Sequence, residues 1–142
     1  MMSVGWIAPA GALLERTAAT WSGLWSLLYT AGHSTLRLSL VAQFADGVEF
    51  AYVAMDLREA RDELEWLHEG LAAGAPAIDL GPVRPGEDHQ AARDVVQKLI
   101  DCALDVTRLL AEQSVDGAEL SCLTRVEHRL RTARAKIAGL RP

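Results

Sequence analysis

Hydrophobic positions in this chain recur at helical spacing over most of its length. The clearest run is Phe50, Val53, Leu57, Ala60, Leu64, Leu67 and Leu71, whose steps of three and four define one narrow apolar seam. The opposite side carries Arg58, Arg61, Asp62, Glu65 and Glu69, so this segment needs partners along one face. The spacing predicts a helix over 48–73, and other segments supply matching seams. Leu14, Ala18, Trp21, Trp25 and Leu28 predict a helix over 9–31, with Pro9 suited to a first helical position and Gly32 as its stop. Ala92, Val95, Val96, Leu99, Cys102, Ala103, Val106, Leu109 and Leu110 predict a helix over 88–113 with a broad inner face. Leu123, Val126, Leu130, Ala133, Ile137 and Leu140 form the seam of one over 116–139. Its start is marked by Asp116-x-x-Glu119, with Val115 and Leu120 placed to staple across it. The short connection before it makes the last two helices antiparallel neighbours.

Residues 34–55 carry two patterns at once. Leu36, Leu38, Leu40, Ala42 and Phe44 alternate, Asp46-Gly47 is a favoured hairpin turn, and Val48, Phe50 and Tyr52 alternate after it. Yet Leu36, Leu40, Phe44 and Val48 also step by four, alanines at 42, 45, 51 and 54 suit a strand poorly, and the Phe50 seam passes Asp56 without a phase break. Helix is the stronger reading. It makes 34–45 an additional short helical segment, broken from the next helix at Asp46-Gly47, with 51–55 deep in the core.

The expected fold is therefore all-α, an antiparallel bundle of four main helices plus that short segment. The alternative is an α+β fold with a β-hairpin at about 36–55. The whole of 1–142 reads as a single domain. Residues 1–8 form an N-terminal arm that lays Trp6 and Ile7 on the bundle. A Pro/Gly-rich loop over 75–87 crosses from one end towards the other, held by Ile78, Leu80 and Val83.

Composition agrees with one globular core: 142 residues, 50% hydrophobic and 23% charged. All basic residues except Lys98 and Lys136 are arginine, and with abundant alanine this points to a GC-rich, bacterial coding genome. Trp6, Pro9, Glu15 and Arg16 break any export signal, so a cytoplasmic location is expected. The uncharged stretch 17–36 holds too many Ser, Thr and Gly for a membrane span. Cys102 and Cys122, on different helices, are expected reduced. A net charge of −5 disfavours a general nucleic-acid or anionic-membrane binder. The charge is also split. From Leu120 onward six Arg and Lys face the single acid Glu127, whereas 56–69 carries six acids and two arginines. These two helices are expected side by side, within one chain or across a dimer, through pairs such as Glu63 or Glu65 with Arg129 or Arg134.

No catalytic set emerges. Glu65-x-x-His68 has the spacing of half a carboxylate-bridged di-metal site, but the second half is missing and both residues lie off the seam. The four histidines and two cysteines have no zinc-like spacing, and nucleophile, phosphate-loop and dinucleotide motifs are absent. Catalytic, metal and cofactor residues are accordingly assigned to none. Two weaker constellations remain. Trp21, Trp25 and Tyr52 could line an apolar ligand pocket between the first two helices. Trp66 falls on the charged side of its helix and could anchor a partner, as could Arg125, Arg129 and Arg134. The expected function is that of a non-enzymatic homodimeric regulator or adaptor working by protein contact. Alternatives are a small-molecule binder or unusual enzyme using the aromatic pocket, and a DNA-binding regulator using the basic last helix.

Overall fold

The computed structural model describes residues 4–139, so Leu140 lies outside them. Six helices follow one another: α1 (Ile7–Arg16), α2 (Trp21–Val41), α3 (Phe44–Leu67), α4 (Leu71–Gly74), α5 (His89–Gln113) and α6 (Gly117–Gly139). The described residues contain no strand, so the fold is all-α and the hairpin over 36–55 does not form.

The four long helices form a ring in which α2 packs on α3 and α5, and α6 packs on α3 and α5. Cross-helix pairs give the directions. Trp25 meets Glu65 while Gly47 approaches Ser39, so α2 and α3 run oppositely. Asp56 meets Lys136 and Glu63 meets Arg125, reversing direction again from α3 to α6. Arg108 faces Glu127 and Asp101 faces Arg134, which does the same for α5 and α6. The expected seams fill the centre: Val53, Leu57, Ala60 and Leu64 of α3, Leu99 and Ala103 of α5, and Leu123, Val126 and Leu130 of α6 are buried.

Boundaries differ from expectation where distant contacts decide them. The helix expected over 9–31 is broken at residues 17–20. Thr17 turns its N–H and Oγ1 back to the Leu13 carbonyl, and the Thr20 hydroxyl accepts from the Gly23 N–H at 3.0 Å as the N-cap of α2. A Cβ at Gly23 would lie 2.1 Å from the Ala18 carbonyl oxygen, so this turn requires glycine. Gly32 is not a stop. It lies inside α2, beside Leu57, and the helix runs on to Val41, so 34–41 is no separate segment.

The break between α2 and α3 falls at residues 42–43, earlier than Asp46-Gly47. Asp46 instead occupies the first turn of α3, where a carboxylate suits the helix dipole. Gly47 passes so near the end of α2 that a Cβ would stand 2.9 Å from the Ser39 carbonyl oxygen. The C-terminus of α3 comes at Leu67 rather than 73: Gly70, at φ +79°, turns the chain into the single-turn α4.

Joints set by local side chains match closely. Asp88 caps α5, accepting from the Gln90 N–H at 2.9 Å, and Asp116 accepts from the Ala118 N–H at 2.7 Å at the start of α6. The reciprocal arm of that box and its staple are absent. Glu119 is drawn to Ser114 and His68, and Val115 is 98% exposed.

The N-terminal arm and the crossing loop fasten each other. Trp6 is buried and its indole N–H donates to the Gly81 carbonyl at 3.0 Å, whereas Ile7 points outward. The Gly5 N–H donates to Glu87 at 2.7 Å; the Arg84 N–H, and then that of Gly5, hold the Glu87 carboxyl below the usual carboxylate range. Of the three loop anchors, Val83 is buried, Leu80 is partly buried and Ile78 is 37% exposed. The loop's other ties are polar. Thr30 donates to the Ile78 carbonyl at 2.8 Å, and Arg37 grips Asp79 at 2.6 and 3.0 Å, lowering its carboxyl pKa.

Candidate functional site

The proposed aromatic pocket does not assemble from its three residues. Trp21 and Trp25 belong to a ladder along α2, at steps of four with Tyr29 and His33. Trp25 stacks on Tyr29 with ring centroids 5.2 Å apart, and Tyr29 lies 4.2 Å from His33. Trp21 meets His68 edge-on at 4.5 Å. The Trp25 indole N–H donates to Glu65 at 2.9 Å, which accounts for a carboxylate turned inward on α3. Tyr52 stands elsewhere, half exposed on the outer side of α3 with the Lys136 ammonium 5.7 Å from its ring.

A groove does lie between α2 and α3, displaced from the tryptophans. It encloses about 440 Å³ and is lined by Leu28, Gly32 and Leu36 from one helix and Ala51, Ala54 and Met55 from the other. Its polar lining is His33, Arg58 and Arg61, with the charge carried by the two arginines. The Arg61 guanidinium sits 5.9 Å from the centre of Trp25 and 5.4 Å from that of Tyr29, a cation–π arrangement that leaves its Nε buried without an acceptor. Burial, and then Arg61, lower the His33 pKa below the ordinary value.

The four partner-contact candidates separate into two groups. Trp66 is 87% exposed, and the proline-rich loop does not cover it. The arginines instead meet carboxylates of their own chain. Arg125 binds Glu63 at 2.7 Å, Arg129 binds Glu59, and Arg134 binds Asp101 of α5 at 2.7 Å. The acidic and basic helices are thus neighbours within one molecule, about one turn from the expected register, and Arg134 turns to α5. With Lys136 on Asp56 and Arg131 on Glu127, the positive charge of α6 between residues 125 and 136 is matched internally.

Among the described residues no group of three His, Cys, Asp or Glu stands close enough to hold a metal. Cys102 and Cys122 are free thiols; burial pushes the Cys122 thiol up to about 11, far from a reactive thiolate. No described helix is long and apolar enough to cross a membrane.

The surface that sequence reasoning missed is the outer side of the α2–α3 pair. Leu36, Leu40 and Val41 of α2 and Phe44, Val48, Tyr52 and Met55 of α3 are all exposed there, with Leu40 at 78% and Phe44 at 88%. Residues 51–55 are therefore not wholly interior. The signal was present in the four-residue steps from Leu36 to Val48. The core seam of α3 already runs through Phe50, Val53 and Leu57, so a second apolar stripe on that helix had to face away from the core. A contiguous patch of this kind marks an interaction site more often than an isolated exposed leucine does.

No protein-family model, no curated protein and no solved structure gives a match to this chain.

Proposed function

We propose that this chain is a non-enzymatic, cytoplasmic bacterial protein that acts by protein–protein contact, as a homodimeric regulator or adaptor. Its working surface is the outer side of α2 and α3. The observation that carries this reading is the exposed apolar face from Leu36 to Met55, set on two rigid helices rather than on a loop. Removing such a face from water contributes about 25 cal/mol per Å², enough for specific association when the surfaces fit. Light scattering and sedimentation test it. The wild type is expected to dimerise at micromolar concentration, and Leu40→Glu to shift it to monomer with unchanged helical circular dichroism. A wild type that stays monomeric at millimolar concentration overturns the homodimer.

A second reading rests on the groove. Its apolar walls with Arg58 and Arg61 suit a small amphiphile carrying one carboxylate. Dodecanoate is the probe: it is expected to raise the melting temperature and perturb Trp25 fluorescence, and Arg61→Gln to abolish both effects. DNA binding has less support, because the cations of α6 are engaged by carboxylates of the same chain.

A further inference from the structure

We infer that α3 is the two-fold contact helix of the homodimer: two copies lie antiparallel with Met55 at the axis, and Phe44 of each packs against Trp66 of the other. This rests on the proposed protein-contact function and adds its partner and register.

The exposed positions of α3 are Phe44, Ala45, Val48, Tyr52, Met55, Arg58, Asp62 and Trp66. Apart from Ala45 they are spaced 4, 4, 3, 3, 4 and 4, a series that reads the same in both directions about Met55. A two-fold axis through residue 55 exchanges each position with its mirror image, as an isologous interface requires. The ends of the series are the two most exposed aromatic side chains among the described residues, Phe44 at 88% and Trp66 at 87%. An antiparallel pairing sets them against each other at both ends. It also sets Arg58 over the Tyr52 ring of the second copy, a cation–π contact. A parallel pairing would place Arg58 on Arg58 and Asp62 on Asp62, which like charges oppose.

Arg58, Asp62 and Trp66 have no ion pair, hydrogen bond or ring contact with the described residues, whereas the half-exposed Tyr52 ring has the Lys136 ammonium 5.7 Å from its centre. Asp62 lies one turn from Arg58, whose charge offsets it beside Val48 of the second copy. The stripe from Phe44 to Trp66 is about 33 Å long at 1.5 Å per residue. Leu36 of α2 widens it beside Met55.

The test is a charge exchange in full-length protein. Phe44→Glu and Trp66→Lys are each expected to weaken dimerisation at least about tenfold, as the loss of an aromatic anchor does. Mixing the two variants is expected to restore affinity to within about threefold of wild type. The mixed dimer keeps one native aromatic pair and brings the introduced glutamate and lysine together. Met55→Cys is expected to cross-link to itself across the axis under mild oxidation, with wild type as the control for the native cysteines. Because every substituted position is exposed, an unchanged helical circular dichroism spectrum confirms that folding is intact, while the melting temperature falls with the lost dimer affinity. If the wild type dimerises but mixing restores nothing and Met55→Cys does not cross-link, the register is overturned while the protein-contact function stands. A wild type that never dimerises overturns both.

Discussion

A methyl group added at Gly23 would meet the Ala18 carbonyl oxygen at 2.1 Å, whereas one added at Gly32 would meet the Leu57 Cβ at 3.7 Å, an ordinary contact. The two glycines of α2 therefore respond oppositely to alanine. Gly23→Ala forces backbone apart and is expected to cost about 1–3 kcal/mol. Gly32→Ala lowers the entropy of the unfolded chain at an allowed helical position and is expected to gain about 0.4–1 kcal/mol. Urea denaturation of both variants checks the signs. His33 gives a pH effect with a definite direction. Its folded pKa lies below the ordinary 6.5, so in acid the unfolded chain takes up a proton that the folded protein resists. Stability from this group is present above pH 6.5 and is lost as pH falls through that value towards the folded one. His33→Gln is expected to lose less stability than wild type between pH 7.5 and 5.5, measured by urea midpoint; an equal loss contradicts the assignment.

At the scale of the element, α6 is held to α3 by Arg125–Glu63, Arg129–Glu59 and Lys136–Asp56, and to α5 by Arg134–Asp101. Pairs this exposed contribute about 0–1 kcal/mol each, so they select which helix lies beside which more than they stabilise the fold. Reversing Arg125 and Arg129 to Glu places like charges in both contacts. The double variant is expected to lose about 1–2 kcal/mol at low ionic strength and clearly less at 0.5 M salt, where screening is strong. Thermal melts at the two salt levels measure the difference. These elements also show what sequence could reveal. The starts of α5 and α6 were legible within one residue because Asp88 and Asp116 act on N–H groups two residues away. The α1–α2 break was not, because apolar spacing runs through residues 17–20 and the turn shows only in the fit of Gly23 under Ala18. Gly32 misled for the converse reason: it serves a neighbour, Leu57, rather than a cap.

For the whole molecule, the candidate surface was only partly legible. Trp66 could be placed outside from its phase on α3, since that phase is a property of the helix alone. Whether Phe44, Val48 and Met55 face core or water depends on which sides of α3 its neighbours cover. In the ring α2 and α6 cover two flanks and leave the third open. No local pattern encodes that order. The same ring consists of two antiparallel helix pairs, α2–α3 and α5–α6, each closed by a connection of two or three residues, and only the stretch 68–88, α4 included, leads from one pair to the other. Arg84, Pro85 and Gly86 are exposed at its tip, while its anchorage rests on residues to either side, Val83, Glu87 and Asp79. The stretch thus acts as a tether that raises the local concentration of one pair about the other, and the core itself is written in their faces. Cleaved between Pro85 and Gly86, the molecule is expected to persist as a complex of two fragments. Expressed separately, each fragment is expected to be weakly helical alone and to recover the native circular dichroism on mixing, with an apparent stability that now rises with concentration. Two half-proteins would then find each other by the same complementarity that the single chain uses to close.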